Sequence, residues 1–286
     1  LHNFTLVGLP DQAIRESRER VSAALKNSSF RPPHQQGRIT VNLAPADLPK
    51  NSPIYDVPIA LGILLATKQV AFDPKEKLFI GEVALDGVVR KVNGALAIGV
   101  FAKEQGYKEI FVPYDNREEL ALIDGLCIIP VRTLIELVKH LEGTHLIASY
   151  TQPLSQKANT REYRFDMSHI RGQEQAKRAL EVAAAGGHNI LFVGPPGSGK
   201  TLLAKTLPSI LPELDFAEQL EVMKIFSVAG KLPQNTIAME RPFRAPHHSA
   251  SAISLVGGGS FPRPGEISLA HRGVLFLDEF AEFPRG

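Results

Sequence analysis

Gly194, Pro195, Pro196, Gly197, Ser198, Gly199, Lys200 and Thr201 satisfy the spacing G-x-x-x-x-G-K-[ST] at every defined position. Each residue type answers a requirement of phosphate. Glycines let successive backbone N–H groups curl around an anion, and a helix opening behind the loop turns its positive end toward it. The ammonium of Lys200 reaches β- and γ-phosphates as a point charge, and the Thr201 hydroxyl is a ligand for Mg²⁺. Further on, Val274, Leu275, Phe276 and Leu277 run into Asp278 and Glu279. Two carboxylates at the end of an apolar strand stand where open α/β sheets bind ligands. There Asp278 would hold Mg²⁺, and Glu279 would orient and activate a water, a task for a carboxylate and not an amide. Lys200, Asp278 and Glu279 are thus the expected catalytic groups, residues 194–201 the expected ATP-binding loop, and Thr201 with Asp278 the expected metal site. By itself an apolar run ending in Asp-Glu is a common strand end; paired with Lys200 it predicts that ATP is bound and hydrolysed.

Such a loop works only between elements that fix it. Residues 190–193 read as a short buried strand running into the glycines, and Leu202, Leu203 and Leu207 begin a helix behind them. Residues 172–185 are rich in helix formers and stop at Gly186 and Gly187. The first half has a different texture. Ile39, Val41 and Leu43 alternate with polar neighbours as in a half-buried strand, and Ile14, Val21 and Leu25 recur at helical spacing opposite Arg15, Arg18, Glu19 and Lys26. Asp86-Gly87, between residues 79–85 and 88–92, predicts a two-residue hairpin. Residues 94–105 and 132–141 predict helices. The organisation expected is α/β: a domain over 1–150, a polar linker over 151–164 beginning near Gln152-Pro153, and a P-loop domain over 165–286.

Composition sets the frame. The chain has 286 residues, 44% apolar and 22% charged, as in globular proteins. No run of eighteen apolar residues is present and Leu1, His2 and Asn3 do not open a signal peptide, so the expectation is a cytoplasmic protein with no membrane partner. One cysteine, Cys127, cannot close an internal disulfide; within its apolar run it reads as a buried structural thiol. A net charge of +2 neither requires nor forbids nucleic acid, which is recognised by clustered charge. The absence of Met at position 1, and an end soon after Glu279, suggest a piece of a longer protein.

The interval between Lys200 and Asp278 is longer than a minimal sheet needs. It holds Arg241-Pro-Phe-Arg-Ala-Pro-His-His248, then Leu255-Val-Gly-Gly-Gly259, then Pro264-Gly-Glu-Ile-Ser-Leu-Ala-His-Arg-Gly273. That string resembles the magnesium chelatase-like branch of the AAA+ ATPases. With Val7-Gly-Leu-Pro-Asp-Gln-Ala-Ile-Arg and Ile39-Thr-Val-Asn-Leu-Ala-Pro, the whole chain resembles the ComM/YifB family. The resemblance implies an N-terminal domain of the Lon-protease-like (ribosomal S5 domain 2-like) α+β fold, followed by an AAA+ α/β motor incomplete at its C-terminus. It places Ile170, Arg171, Gly172 and Gln173 at the adenine side of the ATP pocket, and implies a homo-hexamer acting on branched or single-stranded DNA. The alternatives are a magnesium chelatase motor subunit, or a module that holds ATP without turnover.

The Lon likeness raises proteolysis, which needs a serine activated by a lysine. The family's nucleophile position falls on Ile54, or on Asp56 in a shifted register, and its lysine position on Leu96. Ser52 before Pro53 reads as a helix cap, leaving an improvised Ser52–Lys91 dyad as the remote option. His247 and His248, read as extended, should point to opposite faces and not share a metal. Gly257, Gly258 and Gly259 suit a mobile pore loop, preferred here, or a tight hairpin. Arg241 and Arg244 around Phe243 suit stacking on single-stranded bases, or a subunit contact.

Overall fold

The computed structural model describes residues 3–8, 12–45, 47, 50, 52–151, 163–233, 240–259 and 262–283. They form two compact units, Leu1–Leu154 and Ser155–Gly286. The linker predicted over 151–164 lies, for residues 152–162, outside the described residues.

In the first unit, β1 (Asn3–Val7) is followed by α1 (Gln12–Asn27), whose Ile14, Val21, Ala24 and Leu25 are buried while Arg15, Arg18 and Glu19 face water. The helix returns the chain to β2 (Arg38–Asn42), which pairs parallel with β1 from Asn3↔Arg38 to Val7↔Asn42. Ser52 then caps a short 3-10 turn, Pro53–Tyr55, by accepting the Ile54 N–H, and the turn runs into α2 (Asp56–Ala66). Apolar nearly all round, α2 is a core helix, consistent with its seven buried residues.

Strand β3 (Lys77–Phe79) precedes the narrow hairpin of β4 (Glu82–Val83) and β5 (Val89–Arg90). The hairpin forms where Asp86-Gly87 predicts it, but with a longer turn. Ala84 accepts the Gly87 N–H and donates its own N–H to the Val88 carbonyl, so Leu85, Asp86 and Gly87 make the loop. Gly87 supplies the left-handed residue (φ +86°) that a three-residue hairpin needs at its end. Helix α3 (Ala95–Glu104), β6 (Glu109–Pro113), α4 (Arg117–Leu120), β7 (Cys127–Val131) and α5 (Leu134–Leu141) follow. They give a three-stranded parallel sheet in the order β3-β6-β7, with Phe111 stacked on Phe79 at 4.7 Å between ring centroids. Fully buried side chains such as Phe111, Leu64 and Leu134 each contribute about 1.5–3 kcal/mol.

The second unit opens with α6 (Glu174–Gly186), closed by left-handed Gly187, and α7 (Lys200–Ile210), entered through left-handed Gly199. Helix α8 (Phe216–Val228) starts from a reciprocal cap: Asp215 accepts the Glu218 N–H and Glu218 accepts the Asp215 N–H. Strand β8 (Phe243–Arg244) leads to α9 (Ala252–Val256), the hairpin of β9 (Gly257–Gly258) and β10 (Arg263–Pro264), α10 (Glu266–Leu269) and β11 (Val274–Leu275). β11 pairs parallel with β8, Val274 opposite Phe243 and Leu275 opposite Arg244.

Two expectations fail here. Residues 190–193 carry no strand, and Leu191 and Val193 are 78% and 88% exposed. Residues 274–277 form a two-residue strand with half-buried side chains instead of a buried central one. An apolar run becomes a buried strand only with neighbours on its hydrogen-bonding edges and layers on its faces. Among the described residues no strand pairs with residues 190–193.

Candidate nucleotide site

The glycine-rich loop bends through left-handed Gly197 (φ +79°) and Gly199 (φ +86°), conformations that only glycine adopts without strain. Helix α7 then begins at Lys200 itself. The Lys200 ammonium folds back over the loop and donates to the carbonyls of Gly194 (2.9 Å) and Pro195 (3.0 Å). One residue on, the Thr201 hydroxyl donates to Asp278 Oδ2 at 3.0 Å. Two motifs far apart in sequence therefore meet at hydrogen-bond distance. Asp278 also accepts the Glu279 N–H through Oδ1 at 3.1 Å.

Glu279 sits on left-handed backbone (φ +53°), which turns the chain away from the direction of β11 and parts the two carboxylates. Asp278 goes to the loop, whereas Glu279 Oε2 lies 3.3 Å from His248 Nδ1. His248, Glu279, Phe280, Ala281 and Glu282 line an open depression of about 410 Å³. A hydroxyl and a carboxylate oxygen side by side are the hard-oxygen donor pair that Mg²⁺ takes from protein, its other positions being filled by water and phosphate. Thr201 and Asp278 would hold it. Among the described residues no group of three or more His, Cys, Asp or Glu is built to hold a metal without such help.

Ile170 reaches this region through packing. It is buried with Leu180 of α6 and Leu203 of α7, and the Met167 N–H donates to Ser209 Oγ of α7 at 3.0 Å. Gly172 and Gln173 are exposed, and their left-handed backbones (φ +66° and +58°) open α6.

Several readings of the neighbouring segment change. The rings of His247 and His248 lie 4.0 Å apart, not on opposite faces, because the Ala250 N–H donates to the His247 carbonyl and closes a turn. Alternation holds for extended chain only. Arg241 and Arg244 are not presented for bases. Arg244 grips Glu266 through Nε (2.5 Å) and Nη2 (2.8 Å), and Arg241 donates to the carbonyls of Pro212 and Arg272. The hydrogen bonds from Arg244 hold the Glu266 carboxyl below its ordinary range. Gly257 and Gly258 pair with Arg263 and Pro264 in a hairpin, where a Cβ on Gly257 would meet the Arg263 carbonyl at 2.6 Å. Glu266, Glu221 and the His248–Glu279 contact carry no signal in the sequence. Glu221 accepts from both His271 and Arg272 at 3.0 Å, hydrogen bonds that depress its carboxyl. Nothing in a linear pattern marks charge partners so far apart.

In the first unit, the positions matching a Lon nucleophile and lysine are core. Ile54 and Leu96 are buried, and Asp56, fully buried, accepts from Arg20 Nε at 2.9 Å and from the Val83 N–H at 3.2 Å. Lys91 is exposed. Cys127 is half-buried, and desolvation first, then Glu109, pushes its thiol upward.

The family model for magnesium chelatase, subunit ChlI, matches residues 166–286, and that for subunit ChlI of Mg-chelatase matches residues 1–116. The uncharacterized protein YifB of Escherichia coli (strain K12) is 45% identical over the whole chain, and competence protein ComM of Haemophilus influenzae is 45% identical over 99% of it. Lon protease 2 of Bacillus subtilis is 29% identical over 47% of the chain and 25% of its own length. This mixed α/β chain is of the AAA+ type. More narrowly, it belongs to the magnesium chelatase-like family that contains YifB and ComM. The chain spans about half the length of those two relatives, 55% of each.

Proposed function

We propose that the second unit binds and hydrolyses ATP and that the whole protein is an AAA+ motor acting on DNA. The observation that carries the reading is the 3.0 Å hydrogen bond joining Thr201 to Asp278, since it brings the phosphate loop to the first of the two acids. In this reading residues 194–201 wrap the phosphates, Lys200 leaves the Gly194 and Pro195 carbonyls for the β- and γ-phosphates, and Glu279 takes a proton from the attacking water. Mg²⁺, when bound to Thr201 and Asp278, offsets phosphate charge. Ile170, Gly172 and Gln173 form the adenine side. The first unit is a Lon-like domain in which Ile54 and Leu96 replace the reactive pair, so it serves as a binding or assembly module and not as a protease.

DNA as the substrate rests on the likeness to a relative named a competence protein. Hexameric assembly and branch migration extend the same likeness, with the cytoplasm as the site of action. Among the described residues no helix is long and apolar enough to cross a membrane. The chelatase reading has the descriptions of both family models in its favour. The full-length relatives, together with the Lon-related segment, favour the DNA motor.

The test is ATP turnover by the full-length protein with Mg²⁺ and forked DNA. Lys200→Ala should abolish nucleotide binding, while Glu279→Gln should keep binding and stop turnover. Normal turnover by Glu279→Gln would refute the catalytic assignment. Porphyrin-dependent turnover without any DNA binding would select the chelatase.

A further inference from the structure

In the first unit, the carboxyl ends of two neighbouring parallel strands meet at a tyrosine held between two arginines. Strands β6 and β7 pair as far as Pro113↔Val131, so Tyr114 and Arg132 leave the sheet side by side. Such strand ends are where open α/β sheets bind ligands. The Arg132 guanidinium carbon lies 3.2 Å from the centre of the Tyr114 ring, and that of Arg117 lies 3.7 Å from it. Two groups that close cannot share one face, so the ring is sandwiched between them.

The two cations differ in what they have left to give. Arg117 is spent: it donates to the Glu118 carboxylate at 2.9 Å and to the Tyr114 carbonyl at 2.7 Å. Arg132 is exposed and forms no ion pair among the described residues. Its backbone is pinned on both sides, the N–H donating to Glu136 Oε2 at 2.9 Å and the carbonyl accepting the Val89 N–H at 2.8 Å. The exposed Arg90 and Lys91 follow Val89 along the same edge. Asn116 keeps that segment in place, its side chain accepting the Val92 N–H at 3.0 Å and donating to the Val92 carbonyl at 2.8 Å. Glu82 answers Arg90 only at 3.9 Å, and Lys91 forms no ion pair among the described residues. A guanidinium laid flat on an aromatic ring, braced at its backbone and without a carboxylate, is a fork prepared for two oxygens of one anion.

We propose that Arg132 on its Tyr114 platform, with Arg90 and Lys91 beside it, is a contact for the phosphodiester backbone of a nucleic acid. Both faces of Tyr114 are filled, so no base stacks there and the contact is with phosphate whatever the sequence. The choice of nucleic acid over another polyanion rests on the DNA-motor reading, and it gives the first unit a part in gripping the substrate.

The experiment uses the full-length protein with two labelled probes, an oligothymidylate and a mixed-sequence duplex, and follows Kd against salt. On the probe that the surface takes, Arg132→Ala should weaken Kd about fivefold. It should also lower the log–log salt slope by one phosphate, about 0.7 on the single strand or about 0.9 on the duplex. The probe that responds names the strand state. Arg132→Lys keeps the charge without the fork, so it should keep the slope and recover only part of the affinity. Lys91→Ala, at an exposed position, should lower the slope by a similar step. ATP turnover without DNA should stay within about twofold in all three variants. Wild-type Kd and slope in both Arg132→Ala and Lys91→Ala, on both probes, overturn the proposal and leave the motor reading standing. A weakened Kd in Arg132→Ala with an unchanged slope, not recovered by Arg132→Lys, marks a structural role and overturns it as well. Binding of neither probe by the wild type at low salt removes DNA as the substrate, and this contact with it.

Discussion

Thr201 and Asp56 show what a single polar group does when its partner is fixed. Thr201→Val keeps the shape of α7's first turn and removes the hydroxyl that faces Asp278. Nucleotide affinity measured in EDTA should then match the wild type, while the added gain from Mg²⁺ disappears, because that gain is routed through the hydroxyl–carboxylate pair. In the first unit, Asp56→Ala takes from Arg20, four-fifths buried, its bond to the fully buried carboxylate, and leaves the Val83 N–H without that acceptor. It should cost about 3 kcal/mol in urea denaturation, as broken buried pairs do. The meeting of Thr201 with Asp278 was legible because phosphate chemistry imposes residue type and spacing on the loop and asks for a carboxylate at a strand end beside it. His248, Glu221 and Glu266 were not, since their partners lie far along the chain and only the fold brings them near.

At the scale of elements, local chemistry was readable and pairing was not. Helix α5 starts at Thr133, whose hydroxyl accepts the Glu136 N–H, and α6 stops at Gly187, both signals carried within a few residues. The cap of α8 is equally local: Asp215→Ala should destabilise the second unit by about 1 kcal/mol, read as a lowered urea midpoint. Residues 190–193 carry no strand for the opposite reason, as a strand's burial belongs to its neighbours. The hairpin at Gly87 lies between these cases; its existence was legible and its loop length was not.

The Arg244–Glu266 clamp gives a pH signature at this same scale. Glu266 is held below its usual value, first by the Arg244 hydrogen bonds, so its folded pKa lies under the unfolded one. The stability it lends is complete above an unfolded value of about 4.3 and is lost as pH falls through the lower, folded value. Urea midpoints followed from pH 6 down to pH 3 should therefore fall in the wild type and fall less steeply in Glu266→Gln.

For the whole molecule, the prediction concerns charge. With a net charge of +2, any grip on DNA must come from local clusters. Binding of full-length protein to forked DNA should weaken with salt, with a log–log slope of about −0.9 for each phosphate neutralised on duplex. A flat response would count against nucleic acid as the partner. The two compact units meet at Leu154 and Ser155, inside the linker expected over 151–164, and residues 152–162 of that linker lie outside the described ones.

The bare run beside the glycine-rich loop has a consequence for handling. Leu191 and Val193 present exposed apolar side chains, and among the described residues no strand pairs with them, a template that a second molecule can zip onto. Expressed alone, residues 155–286 should form particles that grow with protein concentration, visible by light scattering. Charged replacements at Leu191 and Val193 should slow that growth in the isolated piece.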